Sequence, residues 1–293
     1  MKRISFKHRL FLLLSLPFLC ASCGAKTSDS ENPPMQIEQE FPNQKPFPLP
    51  LPEPTDENAE LSPPTTAPEI WDVSDVDTSK IDKTRKLISF TFDDAPKRTL
   101  ENLLAVFASF NEENPDCPAS ATVFCNGYFF DATSKQTLHA ALALGLELGN
   151  HTQSHLDLTK LDEQTLKQEI EQTDALLEKL DGKKRHLLRA PFGSVNELVQ
   201  KTAQVPILDW TIDTLDWTNT DEQTVYDSVW NNRFSGAIVL MHDGYEHTVS
   251  ALKRLLPDLK ADGYQVVSVS QLSKAHACPL RRGSRYIRIR KKD

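Results

Sequence analysis

"KLISFTFDDAPKRTL", residues 86–100, is the stretch on which the reading turns. Ile88, Phe90 and Phe92 alternate with Ser89 and Thr91, the period of a β-strand. The strand runs into Asp93 and Asp94, then Pro96, and a helical pattern follows. Two adjacent carboxylates at the end of an apolar strand repel each other. One of them takes up a proton unless a cation sits close by. A solvated acidic turn is the plain account of such a pair. A positive partner is the informative one.

Outward from this stretch, strand and helix patterns alternate to residue 272. Strand patterns fall on 121–129, 146–151, 186–193, 205–212, 236–244 and 264–272. Helical patterns lie at 97–113, 134–145, 161–180, 194–203, 222–232 and 248–263. Strands separated by helices imply parallel pairing and an α/β fold. About seven such units would curl into a barrel-like sheet. No internal repeat interrupts the series.

The two ends of the chain read differently. "MKRISFKHR" is basic, "LFLLLSLPFL" apolar and "CASCGA" small, the order of an export signal over residues 1–23. The apolar run falls short of the roughly 20 residues a membrane span needs. Cys23 is placed as a lipidation cysteine, although Cys20 stands where such signals usually carry Leu. Ordinary cleavage and an uncleaved anchor are the alternatives. Residues 24–82, rich in Pro, Glu, Asp, Thr and Ser, read as an extended tether that cannot bury a core. Within it "EIWDV" (69–73) is a candidate to dock on the domain. A catalytic domain is expected over 83–276. Residues 277–293 form a basic end best read as a solvated tail. Cys117 and Cys125 are the pair whose proximity favours a disulfide, with free buried thiols as the alternative. The net charge of −8 argues against a nucleic-acid partner.

In parallel α/β folds, sites form beyond the carboxyl ends of the strands. Asp93 and Asp94 end the first strand. His151 and His155 follow the third, four residues apart, so that one helical turn would aim both at one metal ion. Arg189 ends the fourth, where it is either a surface arginine or the charge partner of an aspartate. Asp209, Asp213 and Asp216 follow the fifth, among Trp210 and Trp217; they are either loop acids beside core aromatics or the wall of a sugar site. His242 ends the sixth. One Asp and two His form a ligand face that leaves positions open for water and substrate.

Taken together, "TFDDAP", "HTQSH", "RAPFG", "DTLDW" and "LMHDG" resemble, in order and spacing, the five motifs of the polysaccharide deacetylase family, carbohydrate esterase family 4. The resemblance covers about residues 85–275. It implies a distorted (β/α) barrel that removes acetyl groups from amino sugars with a divalent metal, usually zinc. It further implies Asp94, His151 and His155 as metal ligands and Asp93 as general base. Arg189 would orient Asp93, and His242 would be the general acid tuned by Asp216. The Phe192 N–H would hold the oxyanion, and Trp217 and Asp213 would lie in the substrate groove. The implied partner is an acetylated envelope glycan. Peptidoglycan N-acetylglucosamine comes first, ahead of poly-N-acetylglucosamine, chitooligosaccharide and acetylated xylan; membrane contact would run through the N-terminal anchor. A catalytically silent glycan-binding module is the rival, and it would have lost a ligand or the base. Three positions depart from the family pattern: Ala95 for Gly, Ala190 for Pro and Phe192 for Tyr. Ala95 is expected to narrow the groove or to restrict the turn if that turn needs positive φ.

Overall fold

The computed structural model describes residues 69–218 and 220–291. The export signal, Cys23 and residues 24–68 of the tether lie outside these. Lys86–Ala95 forms β1, buried over nearly its whole length. It is the central strand of a parallel sheet ordered β3-β2-β1-β6-β5, with β7 also paired to β1. The partners are β2 (Thr122–Cys125), β3 (Glu147–Asn150), β5 (Ile212–Asp213), β6 (Ile238–His242) and β7 (Tyr264–Val267). A second parallel pair joins β4 (Ile207–Leu208) to β8 (Arg285–Tyr286). Leu188 bridges Asn150 on one side and Ile207 on the other, so the curl continues from β3 to β4.

Among the described residues, seven α-helices alternate with these strands. They are α1 (Leu100–Glu113), α2 (Ala132–Ala143), α3 (Glu163–Asp181), α4 (Glu197–Ala203), α5 (Glu222–Asn232), α6 (Glu246–Ala261) and α7 (Val269–Ala275). Local sequence sets their ends. Asp131 and Ser134 form a capping box at α2, Asp162 accepts from the Thr165 N–H at α3, and Gly182 closes α3 with φ 76°. Along α6, Val249, Leu252, Leu256 and Leu259 recur at helical spacing and are buried.

The period-2 alternation of β1 divides its side chains between two environments. Ile88, Phe90 and Phe92 enter the main core with Phe107 and Leu252. Ser89, Thr91 and Asp93 point to the other side and are also buried. A strand buried on both faces is what a sheet covered by helices requires. The polar set is the first sign of a buried polar site inside the curl.

Several expectations are corrected. The 186–193 stretch pairs only at Leu188, because Pro191 lacks an N–H and opens a 3₁₀ turn over Pro191–Gly193. The 205–212 stretch breaks into β4 and β5. The last strand stops at Val267, since Ser268 and Gln271 form a capping box that starts α7. The 121–129 stretch leaves β2 at Cys125 and turns 3₁₀ at Gly127–Phe129. Cys117 and Cys125 form no disulfide; both are buried free thiols. Cys117 lies before β2 and Cys125 at its far end, so the strand itself separates them.

The basic end is not a solvated tail. Residues 277–291 supply β8 and the fully buried Leu280 and Ile289. Trp71, from the expected docking segment, donates its N–H to the Leu280 carbonyl at 2.8 Å. Shortening Leu280 to Ala is therefore expected to cost about 2–5 kcal/mol in urea denaturation. A loss below about 1 kcal/mol would show that this segment adds little to the core.

Candidate active site and metal centre

The site is built around Arg189, whose side chain has no exposure. Its Nε donates to the Leu208 carbonyl at 2.8 Å and Nη2 to the Asp209 carbonyl at 3.1 Å. Nη1 reaches Thr91 Oγ1 at 2.6 Å and Asp93 Oδ1 at 3.0 Å. Thr91 and Asp93, two apart on β1, share the face that this guanidinium reads. The planar cation also lies over the Phe124 ring, 4.4 Å from its centroid, and near Trp210 at 5.7 Å. A buried charge needs this degree of satisfaction. Arg189 is thus the charge partner of Asp93 and not a surface arginine.

If β1 simply continued, alternation would send Asp94 into the core. Instead Asp94 has φ 61°, and the β1–β2 register shifts between Phe92 and Ala95. That turn brings Asp94 Oδ1 to 3.6 Å from His151 Nε2 and 3.4 Å from His155 Nε2. Positive φ falls on Asp94 and not on Ala95, whose side chain is fully buried. The condition on which Ala95 would restrict the turn is therefore not met, and its buried side chain does not line the groove.

His151 and His155 do not share a helical turn. They stand on an irregular loop in which Thr152 (φ 68°) and His155 (φ 55°) adopt left-handed backbone. Two such residues fold the loop tightly enough to bring the rings to 4.9 Å between centroids. The loop is held by Asn150, whose Oδ1 accepts from the Thr152 N–H, and by Glu169, which accepts from the Ser154 N–H at 2.7 Å. His151 Nδ1 lies 2.8 Å from the Arg189 carbonyl. A carbonyl only accepts, so Nδ1 carries the proton and Nε2 keeps its lone pair for the site.

The ligand atoms of Asp94, His151 and His155 lie within 4.8 Å of one another. Two donors each about 2.1 Å from one tetrahedral ion stand roughly 3.4 Å apart, which matches the Asp94 contacts. The donor set, its spacing and the fixed His151 tautomer fit a divalent cation. Burial and the neighbouring His151 hold His155 down at about 4, so its imidazole is neutral at pH 7. Burial opposes the charge on Asp94, but His151, Lys97 and His155 keep it well below the usual carboxylate range.

His242 stands beside Asp93 in the β1–β6 register. Its Nδ1 is 2.7 Å from Asp216 Oδ1, and its backbone N–H donates to Asp216 Oδ2 at 2.8 Å. Thr248 Oγ1 donates to the same oxygen, and His247 Nε2 lies 2.7 Å from the Asp216 carbonyl. Burial works against a charge on His242. The Asp216 hydrogen bond, with the carboxylates of Asp216, Asp93 and Asp94, overcomes it and lifts the imidazole to about 9.

The remaining residues divide between wall and scaffold. Phe192 (φ 60°) is half exposed, and its ring meets that of His155 at 4.8 Å. Trp217 and Leu215 are exposed and flank Asp216, the partner of His242, whereas Trp210 is packed over Arg189. Burial pushes the Asp213 carboxyl up, against the hydrogen bond from the Leu215 N–H. Asp209 belongs to the scaffold, since its Oδ2 accepts from Arg285 Nε at 2.8 Å. Sequence reasoning missed Asp243. Its carboxylate accepts from the Lys97 N–H and Thr99 Oγ1, and its N–H donates to the Asp93 carbonyl at 2.9 Å. Thr91 and Asn150 were missed too; the strand period and the residue before His151 are the signals that point to them.

A family model described as polysaccharide deacetylase matches residues 80–206. A peptidoglycan-N-acetylglucosamine deacetylase of Bacillus cereus is 33% identical over 212 residues, 67% of this chain and 92% of that relative. The chain belongs to the polysaccharide deacetylase family. The peptidoglycan-N-acetylmuramic acid deacetylase PdaC of Bacillus subtilis is 30% identical over 198 residues, 66% of this chain but only 40% of the relative. The solved structure of PdaC superposes with a TM-score of 0.62 at 30% identity, covering 67% of this chain and 94% of that one. An acetyl xylan esterase of Clostridium thermocellum, solved with a cobalt ion, shares the fold with a TM-score of 0.64 at 22% identity, covering 69% of this chain and 98% of that one.

Replacing His151 by Ala removes one of the three candidate ligands and the ring oriented by the Arg189 carbonyl. Zinc titration by calorimetry is expected to show one site in the parent chain and affinity reduced at least about 100-fold in the variant. Parent-like affinity in the variant would place the ion elsewhere.

Proposed function

We propose that this enzyme hydrolyses the N-acetyl amide of N-acetylglucosamine units in peptidoglycan. The observation that carries the reading is the split between Asp93 and Asp94. One is clamped by Arg189, and the other is turned toward two imidazoles. A divalent ion held by Asp94, His151 and His155, zinc first for two nitrogens and one oxygen, would polarise the acetyl carbonyl and acidify a water.

Asp93, fixed through Oδ1 by Arg189, keeps Oδ2 for the proton of the attacking water. His242, on the adjoining strand, keeps Nε2 for the departing amine because Nδ1 is committed to Asp216. The imidazolium form is the one that donates, and its raised value keeps that form populated at neutral pH. The Phe192 N–H is the proposed donor to the oxyanion. Trp217 and Leu215 offer apolar surface to a sugar face, with Asp213 beside them. Every group that the reaction needs is present, which speaks against a silent binding module.

The names of the relatives favour peptidoglycan, and the export pattern over residues 1–23 supports the reading that the enzyme meets that polymer outside the cell. Anchoring through a lipid on Cys23 belongs to the same proposal. The test is acetate release by the purified chain with zinc, on peptidoglycan fragments, chitooligosaccharides and acetylated xylan. Release from N-acetylglucosamine units of peptidoglycan, lost with chelator, is expected. Release from N-acetylmuramic units alone, or from xylan alone, would overturn the substrate assignment.

Two variants address the chemistry. Asp93→Asn is expected to lower kcat by about 100-fold or more with zinc still bound. Near-parent turnover would remove Asp93 from the mechanism. In the parent, kcat falls as pH rises through about 9, where His242 loses its proton. Asp216→Asn withdraws the charge that raises His242, so this alkaline limb moves to lower pH. An unmoved limb would mean that His242 is not the acid.

A further inference from the structure

Lys97 has no role in the proposed reaction, yet its side chain is held at the stem and at the ammonium. Its backbone N–H donates to the buried Asp243 carboxylate, which fixes where the side chain starts. Its stem passes over Gly244, where an added Cβ would stand 3.1 Å from Lys97 Cδ. Its ammonium lies over the Phe129 ring, 5.4 Å from the centroid. It ends 3.1 Å from Asp94 Oδ2, with 29% of the side chain exposed. A lysine on a free surface would sample many rotamers; the side chain of this one is confined by a glycine, an aromatic face and a carboxylate.

The two oxygens of Asp94 therefore have different partners. Oδ1 faces both imidazole Nε2 atoms, at 3.6 and 3.4 Å, whereas Oδ2 faces Lys97. We infer that Lys97 is a positioning residue that restricts Asp94 to ligation through one oxygen. The inference rests on the reading of Asp94, His151 and His155 as a metal centre. A carboxylate left free can supply both oxygens to one cation, and each oxygen so used fills a position that substrate or water needs. Lys97 prevents this by occupying Oδ2. As a cation beside a dication, it also weakens binding of the ion. Loose binding is exchanged for open coordination positions.

The test uses the full chain and metal alone for its main readout. Zinc affinity is measured by competition with a chromophoric chelator, and the cobalt(II) form is examined by visible absorption. Lys97→Met is expected to bind zinc on the order of 10-fold tighter and to show a weaker cobalt band, as a higher coordination number requires. Its kcat falls, and Lys97→Arg, which keeps a donor for Oδ2, restores the parent spectrum. Lys97→Gln provides a polar variant should the Met chain fold poorly. Unchanged or weaker zinc binding, with the parent cobalt spectrum in the Met and Gln variants, overturns the inference. Failure of the parent to bind zinc overturns both this inference and the metal centre. A parent that binds zinc but releases no acetate overturns the proposed reaction, while the affinity and spectral comparison still decides the role of Lys97.

Discussion

A single guanidinium, with no solvent exposure, ties together the parts of this molecule that do chemistry. The Arg189 side chain joins β1, through Thr91 and Asp93, to the β4 segment, through the carbonyls of Leu208 and Asp209. Its backbone works as well, since the N–H donates to the Asn150 carbonyl at the end of β3 and the C=O accepts from His151. One residue thus fixes the proposed base Asp93, the tautomer of the candidate ligand His151 and the closure of the sheet at its least regular point. A lysine could not make these bonds, because the fork of five donors is what the four acceptors match. The cost of burying the charge is offset only because nearly every N–H has a partner.

The second constraint is the backbone at Asp94. Alternation along β1 gives Asp93 to the polar interior and would give Asp94 to the apolar side. Left-handed φ reverses the second assignment. The same device recurs at Thr152, His155 and Phe192, all with φ between 55° and 68°. Non-glycine residues in this region carry strain of order 1 kcal/mol or more each. Asp243, Asn150 and Glu169 hold this local geometry through hydrogen bonds to the loops that carry it. The site is therefore made of short irregular segments pinned to a regular sheet.

Much of this was legible in the sequence, and the limits have physical causes. The strands flanking β1 were readable because buried parallel strands are apolar runs bounded by turns. The ionisable residues at their ends stood out against that background. The break at Pro191 and the cap at Ser268 were written in the sequence too, but apolar runs masked both. What period and propensity did not contain was the left-handed loop between His151 and His155, since four-residue spacing suits a helix as well. Trp210 and Trp217 looked alike, yet one covers Arg189 and the other faces solvent. That difference depends on which way a two-residue strand points its neighbours. The basic end concealed its role because Leu280, Tyr286 and Ile289 are spaced too irregularly to announce a strand.

The central claim is that two adjacent aspartates have been separated, one for the ion and one for the proton. Anomalous diffraction from a zinc-loaded crystal measures this directly. The account predicts one zinc peak bonded to Asp94 Oδ1, His151 Nε2 and His155 Nε2, with Asp93 on Arg189 and outside bonding distance. A zinc ion bonded to Asp93, or a peak away from these three residues, would contradict it.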